Sequence, residues 1–358
     1  MDSSQMMKTC LVTGGAGFIG CALSERLVKQ FGRVIAVDSL LAQVHPDQTR
    51  PAALHPDVEL IVGDVSDRGT WDSLLGTLRP DIVIHLAAET GTGQSLTEAT
   101  RHASANVVGT AQMLDAFGRS GIVPKRLVLS SSRAVYGEGA WRDRATGNLV
   151  YPGLRSRKNL DNHIWDFPGL EGLPFEASVT FPRPTNIYAS TKLAQEHIMQ
   201  SWASAFGIDL YILRFQNVFG VGQSLHNPYT GIVQIFSQIA RDGRAIPVYE
   251  DGNIVRDFIF VDDVADAVMI AAAGRGAPGT YDIGSGQATT IHDLARLVAQ
   301  HYHAPEPIVT AQFRHGDVRH AACDISRTTA QLGWTPRYSL QEGLERLWQW
   351  MDQELAGR

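Results

Sequence analysis

Short apolar runs alternate with longer segments of helical periodicity through the first 220 or so positions of the chain. The apolar runs have the length of buried strands and lie at 10–12, 33–37, 58–62, 82–86, 126–129 and 210–214. The segments with helical spacing lie at 21–31, 71–78, 98–120 and 188–206. Regular alternation of strand and helix predicts an α/β fold, in which a doubly wound parallel sheet carries helices on both faces.

The pattern becomes mixed in the last third of the chain. Helical spacing recurs at 231–242, 264–273, 291–301 and 340–354, and the apolar runs between these segments are short. We therefore predict a first domain at 1–222, to which 256–284 returns, and a second, smaller mixed α/β domain at 223–358. The second domain would bind the substrate.

Two irregular segments interrupt the first domain. Residues 138–184 are rich in Gly, Pro, Arg and Asn and are too long for an ordinary connection, which predicts a folded excursion near the active face. The polar segment at 41–57 could lie over a bound adenosine or could simply connect two strands, and we favour the connection.

A glycine-rich turn joins the first predicted strand to the first helix. The spacing Gly15-x-Gly17-x-x-Gly20 lets the backbone approach a pyrophosphate at a helix N-terminus, where free N–H groups and the helix dipole favour an anion. The second strand ends at Asp38, whose carboxylate suits a ribose 2′-hydroxyl and repels a 2′-phosphate. This order of features predicts a Rossmann-type dinucleotide site that prefers NAD to NADP.

Tyr188 and Lys192 are four positions apart in a predicted helix and therefore share one face. An ammonium beside a phenol favours the phenolate, so we expect Lys192 to lower the phenol pKa from about 10 toward working pH. Such a pair predicts a general base for a hydroxyl proton. An isolated Tyr-x-x-x-Lys is usually an ordinary helix surface, but here it follows a dinucleotide motif and a serine cluster.

Composition narrows the class of protein. The 358 residues are 44% hydrophobic with a formal net charge of -6, which predicts a substantial core and no nucleic-acid partner. No apolar run has membrane-spanning length and Met1–Met7 is polar, so we predict no membrane association. Three widely spaced cysteines indicate a reduced, cytoplasmic protein. The histidine pairs near 301–303 and 315–320 are better explained as loop residues than as metal ligands, and we predict no metal.

Four motifs in combination resemble those of the extended short-chain dehydrogenase/reductases. They are Thr13–Gly20, Ser130–Ser132, Tyr188-x-x-x-Lys192 and Arg256–Asp262. More narrowly, nearly the whole chain resembles the nucleotide-sugar epimerases of the UDP-galactose 4-epimerase type. The resemblance implies an NAD-dependent isomerase that epimerises C4 of a nucleoside-diphosphate hexose through a transient 4-keto sugar.

The resemblance also implies roles for individual residues. Catalysis would fall to Tyr188, Lys192 and Ser132. NAD would be bound by Gly14, Gly17, Phe18, Ile19, Gly20, Asp38, Asp64, Val65, Ala87, Ala88, Asn106, Tyr188 and Lys192. The sugar nucleotide would be bound by Thr90, Ser132, Arg133, Asn217, Arg256 and Arg314. For Arg256 and Arg314, the alternative is an ordinary surface salt bridge.

Departures from the common family pattern narrow the substrate. Sugar-nucleotide 4,6-dehydratases of this family carry an Asp-Glu pair where this chain has Arg133 and Ala134, which disfavours dehydration. Arg133, the long excursion and the motifs Glu89–Gln94 and Asn227–Gly231 resemble the branch that includes dTDP-L-rhamnose 4-epimerases, which implies a 6-deoxy sugar. The alternatives are a 4-dehydrogenase or 4-keto-reductase on the same sugar class and, more remotely, a non-catalytic NAD-binding module.

The helices predicted at 98–120 and 188–206 correspond to the pair that members of this family use for a two-fold, four-helix interface. Their large apolar residues could serve such an interface or only the core. These residues are Met113, Leu114, Phe117, Ile198, Trp202 and Phe206. We favour a homodimer.

Overall fold

The computed structural model describes residues 8–225 and 231–356. The predicted polar N-terminus, Met1–Met7, and all but the last position of the Asn227–Gly231 motif lie outside the described residues. The strands are β1 Thr9–Thr13, β2 Arg33–Asp38, β3 Glu59–Val62, β4 Ile82–His85, β5 Arg126–Ser132, β6 Trp141–Asp143, β7 Leu149–Val150, β8 Leu170–Gly172, β9 Asp209–Phe215, β10 Asn217–Phe219, β11 Pro247–Val248, β12 Val255–Arg256, β13 Phe258–Phe260, β14 Gly279–Ile283, β15 Thr289–Thr290, β16 Ile308–Val309 and β17 His320–Ala321.

The helices follow the predicted periodic segments closely. They are α1 Phe18–Gln30, α2 Arg68–Thr77, α3 Thr92–Ser95, α4 Ala99–Ala103, α5 Gly109–Ser120, α6 Arg157–Asp161, α7 Ile187–Phe206, α8 Ile232–Arg241, α9 Val261–Ala273, α10 Ile291–His301 and α11 Leu340–Ala356. Two π-helical turns, Ser104–Val108 and Thr328–Leu332, and one 3₁₀ turn, Arg133–Tyr136, complete the helical structure. No helix in the described ranges is long and apolar enough to cross a membrane.

Seven parallel strands form the central sheet, in the order β14-β9-β5-β4-β1-β2-β3. The inner strands are largely buried, with apolar residues at their centres, because helices cover both faces of the sheet. The chain first builds outward from β1 to β3 and then outward in the other direction from β4, so the strand order reverses between β1 and β4. This confirms the predicted doubly wound α/β fold and locates the crevice, beyond the carboxyl ends of β1 and β4, where such sheets bind ligands.

Each face of the sheet has its own core. On one face, α1 and α9 pack against the strands through Leu23, Leu27 and Val268. On the other face, α2, α5 and α7 pack through a second cluster that includes Trp71 and Phe117. Met113 and Leu114 also lie in the second cluster, so half of the apolar residues considered for an interface belong to the core of the protomer.

The helix predicted over 98–120 is interrupted at its centre. The π-helical turn separates α4 from α5, and Asn106 lies within the turn. By contrast, α7 is regular over 20 residues because the Asn186 side chain caps it, accepting a hydrogen bond from Ala189 N at 2.9 Å. The cap sets the first turn of the helix, which carries Tyr188.

The excursion at 138–184 folds into structure of its own. Its three short strands form an antiparallel sheet in the order β7-β6-β8, and α6 follows β7. In the last third of the chain, α8, α10 and α11 surround a third core that contains Phe219 and Trp348. Three small sheets pair the remaining strands, while β14 forms the edge of the central sheet. The division into domains at 222 stays a prediction.

Candidate active site

Glycine lets the first helix begin against the end of the first strand. Gly14 has φ +66°, and a Cβ at this position would lie 2.7 Å from Ala87 N on the neighbouring strand's extension. A Cβ at Gly20 would lie 2.4 Å from Gly15 O. Gly17 caps α1 without a side-chain hydrogen bond, which leaves the first-turn N–H groups for an anionic ligand. The turn therefore fits a dinucleotide pyrophosphate.

Asp38 is fixed beside this turn at the end of β2. Its carboxylate accepts hydrogen bonds from Ala16 N and Leu40 N, both at 3.0 Å. Phe18 and Ile19 form the start of α1 directly after the turn. A negative charge held beside the glycine turn fits a ribose with free hydroxyls and repels a 2′-phosphate.

The remaining predicted cofactor residues follow β3 and β4. Asp64 is exposed and its carboxylate accepts from Ser66 N at 2.7 Å, while Val65 is buried. Ala87 and Ala88 are half-buried and extend β4 into the crevice. Thr90 is exposed just beyond them.

Asn106 holds the segment after β4 against α7. Its Oδ1 accepts from Glu89 N at 2.8 Å, and its Nδ2 donates to Glu89 O at 3.0 Å and to Thr191 Oγ1 at 2.9 Å. The amide group is fully buried. The π-helical turn brings this side chain into place, as is frequent for such turns at functional sites.

Ser132 and Tyr188 meet at the carboxyl edge of the sheet. Ser132 is the last residue of β5, and Tyr188 lies in the first turn of α7. Burial raises the pKa of Tyr188 above its ordinary value, and this effect exceeds the lowering by a hydrogen bond from Ser132 and by the Arg133 charge. The phenol is therefore protonated unless a ligand changes its surroundings.

The prediction that Lys192 lowers the pKa of Tyr188 is wrong, because the pKa of Tyr188 is raised and Lys192 is not among the groups that shift it. Lys192 is only 3% exposed, and its Nζ donates to Gln195 Oε1 at 2.8 Å within the protein interior. Burial lowers the pKa of Lys192 to about 7. Helical spacing correctly placed the two residues on one helix, but it could not show how deeply each would be buried.

Sequence reasoning missed the buried polar residues behind Lys192. Gln195, Thr110 and His85 are all fully buried and hydrogen-bonded to one another. Two signals were available in the sequence: a histidine at the end of an otherwise apolar strand, and a glutamine one helical turn after Lys192.

Two guanidinium groups, those of Arg133 and Arg256, lie close enough for their charges to repel each other. Arg133 Nε donates to Asn217 Oδ1 at 2.9 Å. Arg256 is 5% exposed, and its Nη1 donates to the carbonyl oxygens of Val255 and Val318 at 2.8 and 2.9 Å. Burial and, next, the charge of Arg256 lower the pKa of Arg133 to about 9. Two cations that repel each other in a buried cleft favour an anion such as a diphosphate.

The acidic partner of Arg256 is Asp317, with 3.5 Å between Nη2 and Oδ1. Asp257, the neighbour in sequence, turns away and accepts hydrogen bonds from Ser285 N and Gly286 N. The alternative role of Arg256, an ordinary salt bridge on the surface, is therefore excluded, because this side chain is buried.

Arg314 differs from Arg256 in its surroundings. It is exposed, and its guanidinium lies over the Tyr249 ring at 5.2 Å. Its carbonyl oxygen accepts from Asp317 N at 3.2 Å, which places both residues in one turn. Across the described ranges 8–225 and 231–356, no group of three or more His, Cys, Asp or Glu residues is arranged to hold a metal ion.

A glycine cradle, an acid at the end of the second strand and a Ser–Tyr–Lys set at the same sheet edge define a Rossmann-type, dinucleotide-dependent enzyme. The sequence profile of the "NAD dependent epimerase/dehydratase family" matches residues 10–156 and 167–284. The chain belongs to this family, which confirms the resemblance to nucleotide-sugar epimerases and the prediction of NAD as the cofactor.

Individual relatives agree with this assignment. The chain is 56% identical over 349 residues to the dTDP-L-rhamnose 4-epimerase of Burkholderia thailandensis, covering 97% of this chain and 96% of the relative. The UDP-glucose 4-epimerase of Thermotoga maritima, solved with UDP-glucose, has a TM-score of 0.78 and 27% identity, covering 97% and 99% of the two chains. The Thermus thermophilus UDP-glucose 4-epimerase, solved with NAD, has a TM-score of 0.76 and 26% identity, covering 96% and 98%.

Proposed function

We propose that this enzyme epimerises C4 of a nucleoside-diphosphate 6-deoxyhexose, with dTDP-L-rhamnose as the leading candidate. The observation that carries the proposal is the 56% identity, over 97% of the chain, to a protein named for that reaction. The geometry supports it, because the Tyr188 phenol, the Ser132 hydroxyl and the cationic Arg133 and Arg256 lie around one crevice.

Each residue of the crevice would have a separate role in such a reaction. NAD, when bound, supplies the acceptor and then the donor of the hydride exchanged with C4. Tyr188 Oη, once deprotonated in the ligand-bound site, would take the proton of the C4 hydroxyl and later return it, while Ser132 Oγ would hydrogen-bond the same sugar oxygen. The Arg133 charge, which lowers the pKa of Tyr188, helps the phenol to release its proton. Lys192 would contribute a second cation to the site, besides Arg133.

The 4-keto sugar must present its opposite face before the second half of the reaction. Arg256 and Arg133 would hold the diphosphate during this rotation, because guanidinium groups bind phosphate oxygens in a bidentate manner. Asn217 supports the grip through its hydrogen bond from Arg133 Nε. Arg314 and Thr90, which are both exposed, would contact the outer parts of the substrate.

The test of function is a panel of UDP-, dTDP-, GDP- and CDP-sugars, incubated with the purified enzyme without added cofactor. A C4 isomer should form, and from a dTDP-6-deoxyhexose most rapidly. A 4-dehydrogenase or 4-keto-reductase would instead need added cofactor and would change its redox state. That outcome, or no isomer from any sugar, would contradict the proposal.

Tyr188→Phe is the matching test of the mechanism. Removing the hydroxyl should lower turnover by about 10² or more, the usual loss for a general acid–base group, while the bound NAD is retained. Tyr338→Phe is the control, because this half-buried tyrosine lies beside the C-terminal helix rather than in the crevice. Near-normal turnover by Tyr188→Phe would refute the assigned base.

We also propose that the enzyme is a homodimer. Ile198, Trp202 and Phe206 lie at four-residue spacing on α7, the first two half-buried and Phe206 50% exposed. A second copy that covers this apolar stripe would complete a four-helix interface. Sedimentation at micromolar concentration should give a dimer, and Phe206→Glu should shift it toward monomer. A monomeric parent protein would exclude the assembly.

The cytoplasmic location stays a prediction.

A further inference from the structure

A continuous chain of hydrogen bonds runs inward from Lys192. Lys192 Nζ donates to Gln195 Oε1 at 2.8 Å, and Gln195 Nε2 donates to Thr110 Oγ1 at 2.9 Å. Thr110 Oγ1 in turn donates to Asn106 O at 2.6 Å. Gln195 and Thr110 are completely buried. The side chain of Gln195 therefore has a fixed orientation, with its amide oxygen toward Lys192.

The chain continues through His85 to the glycine turn. His85 Nε2 lies 3.0 Å from Thr110 Oγ1 and 3.3 Å from Gln195 Nε2, so the imidazole contacts both residues. His85 Nδ1 lies 2.7 Å from Thr13 Oγ1. Thr13 is the last residue of β1, immediately before Gly14. One set of hydrogen bonds thus connects Lys192 with the strand that carries the cofactor turn.

The imidazole in this chain is neutral. Burial, reinforced by the charge of Lys192, lowers the pKa of His85 to about 3. On α4, His102 packs its ring against Tyr188 at 6.5 Å between centroids, and its two nitrogens contact the carbonyl oxygens of Glu98 and Thr90. An imidazole is never negatively charged, so neither histidine can be a counterion for Lys192.

Glu196 is the carboxylate that acts on Lys192, and it is engaged elsewhere. Its Oε1 accepts from Arg214 Nε at 2.9 Å and from Ser131 Oγ at 2.5 Å, and its Oε2 accepts from Arg214 Nη2 at 2.6 Å. Its charge raises the pKa of Lys192 less than burial lowers it. The acceptor that touches the ammonium is thus a neutral amide.

We propose that Gln195, held by Thr110 and His85, is a positioning residue that fixes the Lys192 ammonium without neutralising it. The inference rests on the proposed function, in which Lys192 serves the reaction. One hydrogen bond to Gln195 orients Nζ and leaves two of its three N–H donors for ligands in the crevice. A carboxylate at the same place would hold Nζ equally well but would cancel its charge.

Gln195→Glu tests the choice of a neutral partner. The substitution puts a carboxylate at Nζ, so turnover at pH 7 should fall at least tenfold, and the alkaline limb of the rate profile should move up by about one pH unit or more. KM should change little, because no substrate contact is removed. Gln200→Glu makes the same chemical change at an exposed position of α7 and should leave rate and profile unchanged.

Gln195→Met tests the positioning itself. Methionine fills similar space without accepting a hydrogen bond from Nζ, so kcat should fall about tenfold, the loss expected for one hydrogen bond, with KM unchanged. If Gln195→Glu fails to fold or to retain NAD, this second variant decides alone. Normal kcat in folded Gln195→Met, or an unshifted profile in folded Gln195→Glu, would overturn the proposal.

Tyr188→Phe separates failure of this inference from failure of the proposed function. If Tyr188→Phe is inactive while both Gln195 variants behave as the parent enzyme, Gln195 is only a core residue and the function stands. If Tyr188→Phe is active, the assigned mechanism itself is wrong.

Discussion

Two buried groups of charged side chains in this molecule are built in opposite ways. Near the cofactor turn, the Lys192 ammonium donates to the neutral amide of Gln195. Between the excursion and the last third of the chain, Arg155 donates to Glu250 through both terminal nitrogens, at 2.7 and 2.8 Å. Lys192, Arg155 and Glu250 are each less than 5% exposed. Burial is the same in the two regions, and only the pairing differs.

A second arginine extends the paired region. Arg319 donates to Glu250 at 3.0 Å and to Asp251 and Asp166 at 2.7 Å each. Its backbone N–H donates to Glu138 at 2.9 Å. These bonds attach the start and the middle of the excursion to the loop after β11 and to Arg319, directly before β17. They determine where the excursion lies, although residues 157–166 fall outside the match to the family profile.

The contrast shows what each arrangement is suited to do. Buried charges in direct contact lock two segments together, because separating them would leave a charge unpaired in a low-dielectric interior. A buried cation without a counterion lowers stability, but its charge remains available to a ligand, as is common where pKa values are strongly shifted. The paired region around Arg155 and Glu250 is therefore suited to a structural role, and the unpaired region around Lys192 to a functional one.

The largest effect should come from breaking the paired region. Arg155→Met leaves Glu250 without its bidentate partner and should lower the free energy of unfolding by about 3–5 kcal/mol. Chemical denaturation monitored by fluorescence measures this loss. NAD bound per folded protein should stay unchanged, because the crevice is not altered. A loss below about 1 kcal/mol would show that the cluster does not lock the excursion in place.

Lys192→Met tests the unpaired region and should have the opposite effect on stability. Turnover should fall about 10²-fold or more, because the site loses a cation that the proposed reaction uses. The free energy of unfolding at pH 7 should rise. In the parent, Lys192 has a pKa of about 7 when folded against an ordinary 10.5, so the unfolded chain holds a proton that the folded chain lacks between these values.

Stability of the parent should consequently increase with pH from about 7 toward 10, and Lys192→Met should remove this contribution. Thermal unfolding across that interval, with parent and variant in the same buffers, provides the comparison. A variant that is less stable at pH 7 and keeps the full slope would contradict the view that Lys192 is destabilising.

Arg256 is intermediate between the two regions, because its acidic partner is loosely placed at 3.5 Å. If it binds the diphosphate, Arg256→Ala should raise KM about tenfold to hundredfold, the value of a charge-assisted contact, and lower kcat much less. Arg256→Lys should recover only part of the loss, because lysine lacks the planar fork.

Arg314→Ala is the comparison for this substitution and should raise KM less, because its side chain is exposed and lies over Tyr249. Steady-state kinetics on the sugar nucleotide decides between them. Unchanged KM in both alanine variants would mean that other residues hold the diphosphate.

The smallest effect should come from an exposed pair within the same excursion. Arg157 and Asp161 form an i,i+4 pair at 3.1 Å with side chains 70% and 51% exposed. Arg157→Ala should change the free energy of unfolding by about 0.5 kcal/mol or less, because solvent screens the charges. If Arg157→Ala lowered the free energy of unfolding as much as Arg155→Met, burial would not explain why the two ion pairs differ in strength.

Most of the fold followed from local patterns in the sequence. Apolar runs gave six of the seven strands of the central sheet, and helical periodicity gave α7 and α10 almost to the residue. The central helix at 98–120 was predicted without its π-helical turn, because a single extra backbone residue leaves the apolar periodicity nearly unchanged. Short strands such as β17 were harder to bound, because only pairing with distant partners defines them.

The sequence by itself determined the glycine turn, the acid at the end of β2 and the Tyr188–Lys192 spacing, because each depends on neighbours along the chain. Only the tertiary structure decided the surroundings of Lys192 and the pairing of Arg319 with Glu138, whose positions are 181 residues apart. It also decided the direction of the Tyr188 pKa shift. Burial and long-range contacts set these properties, and both arise only when distant segments pack together.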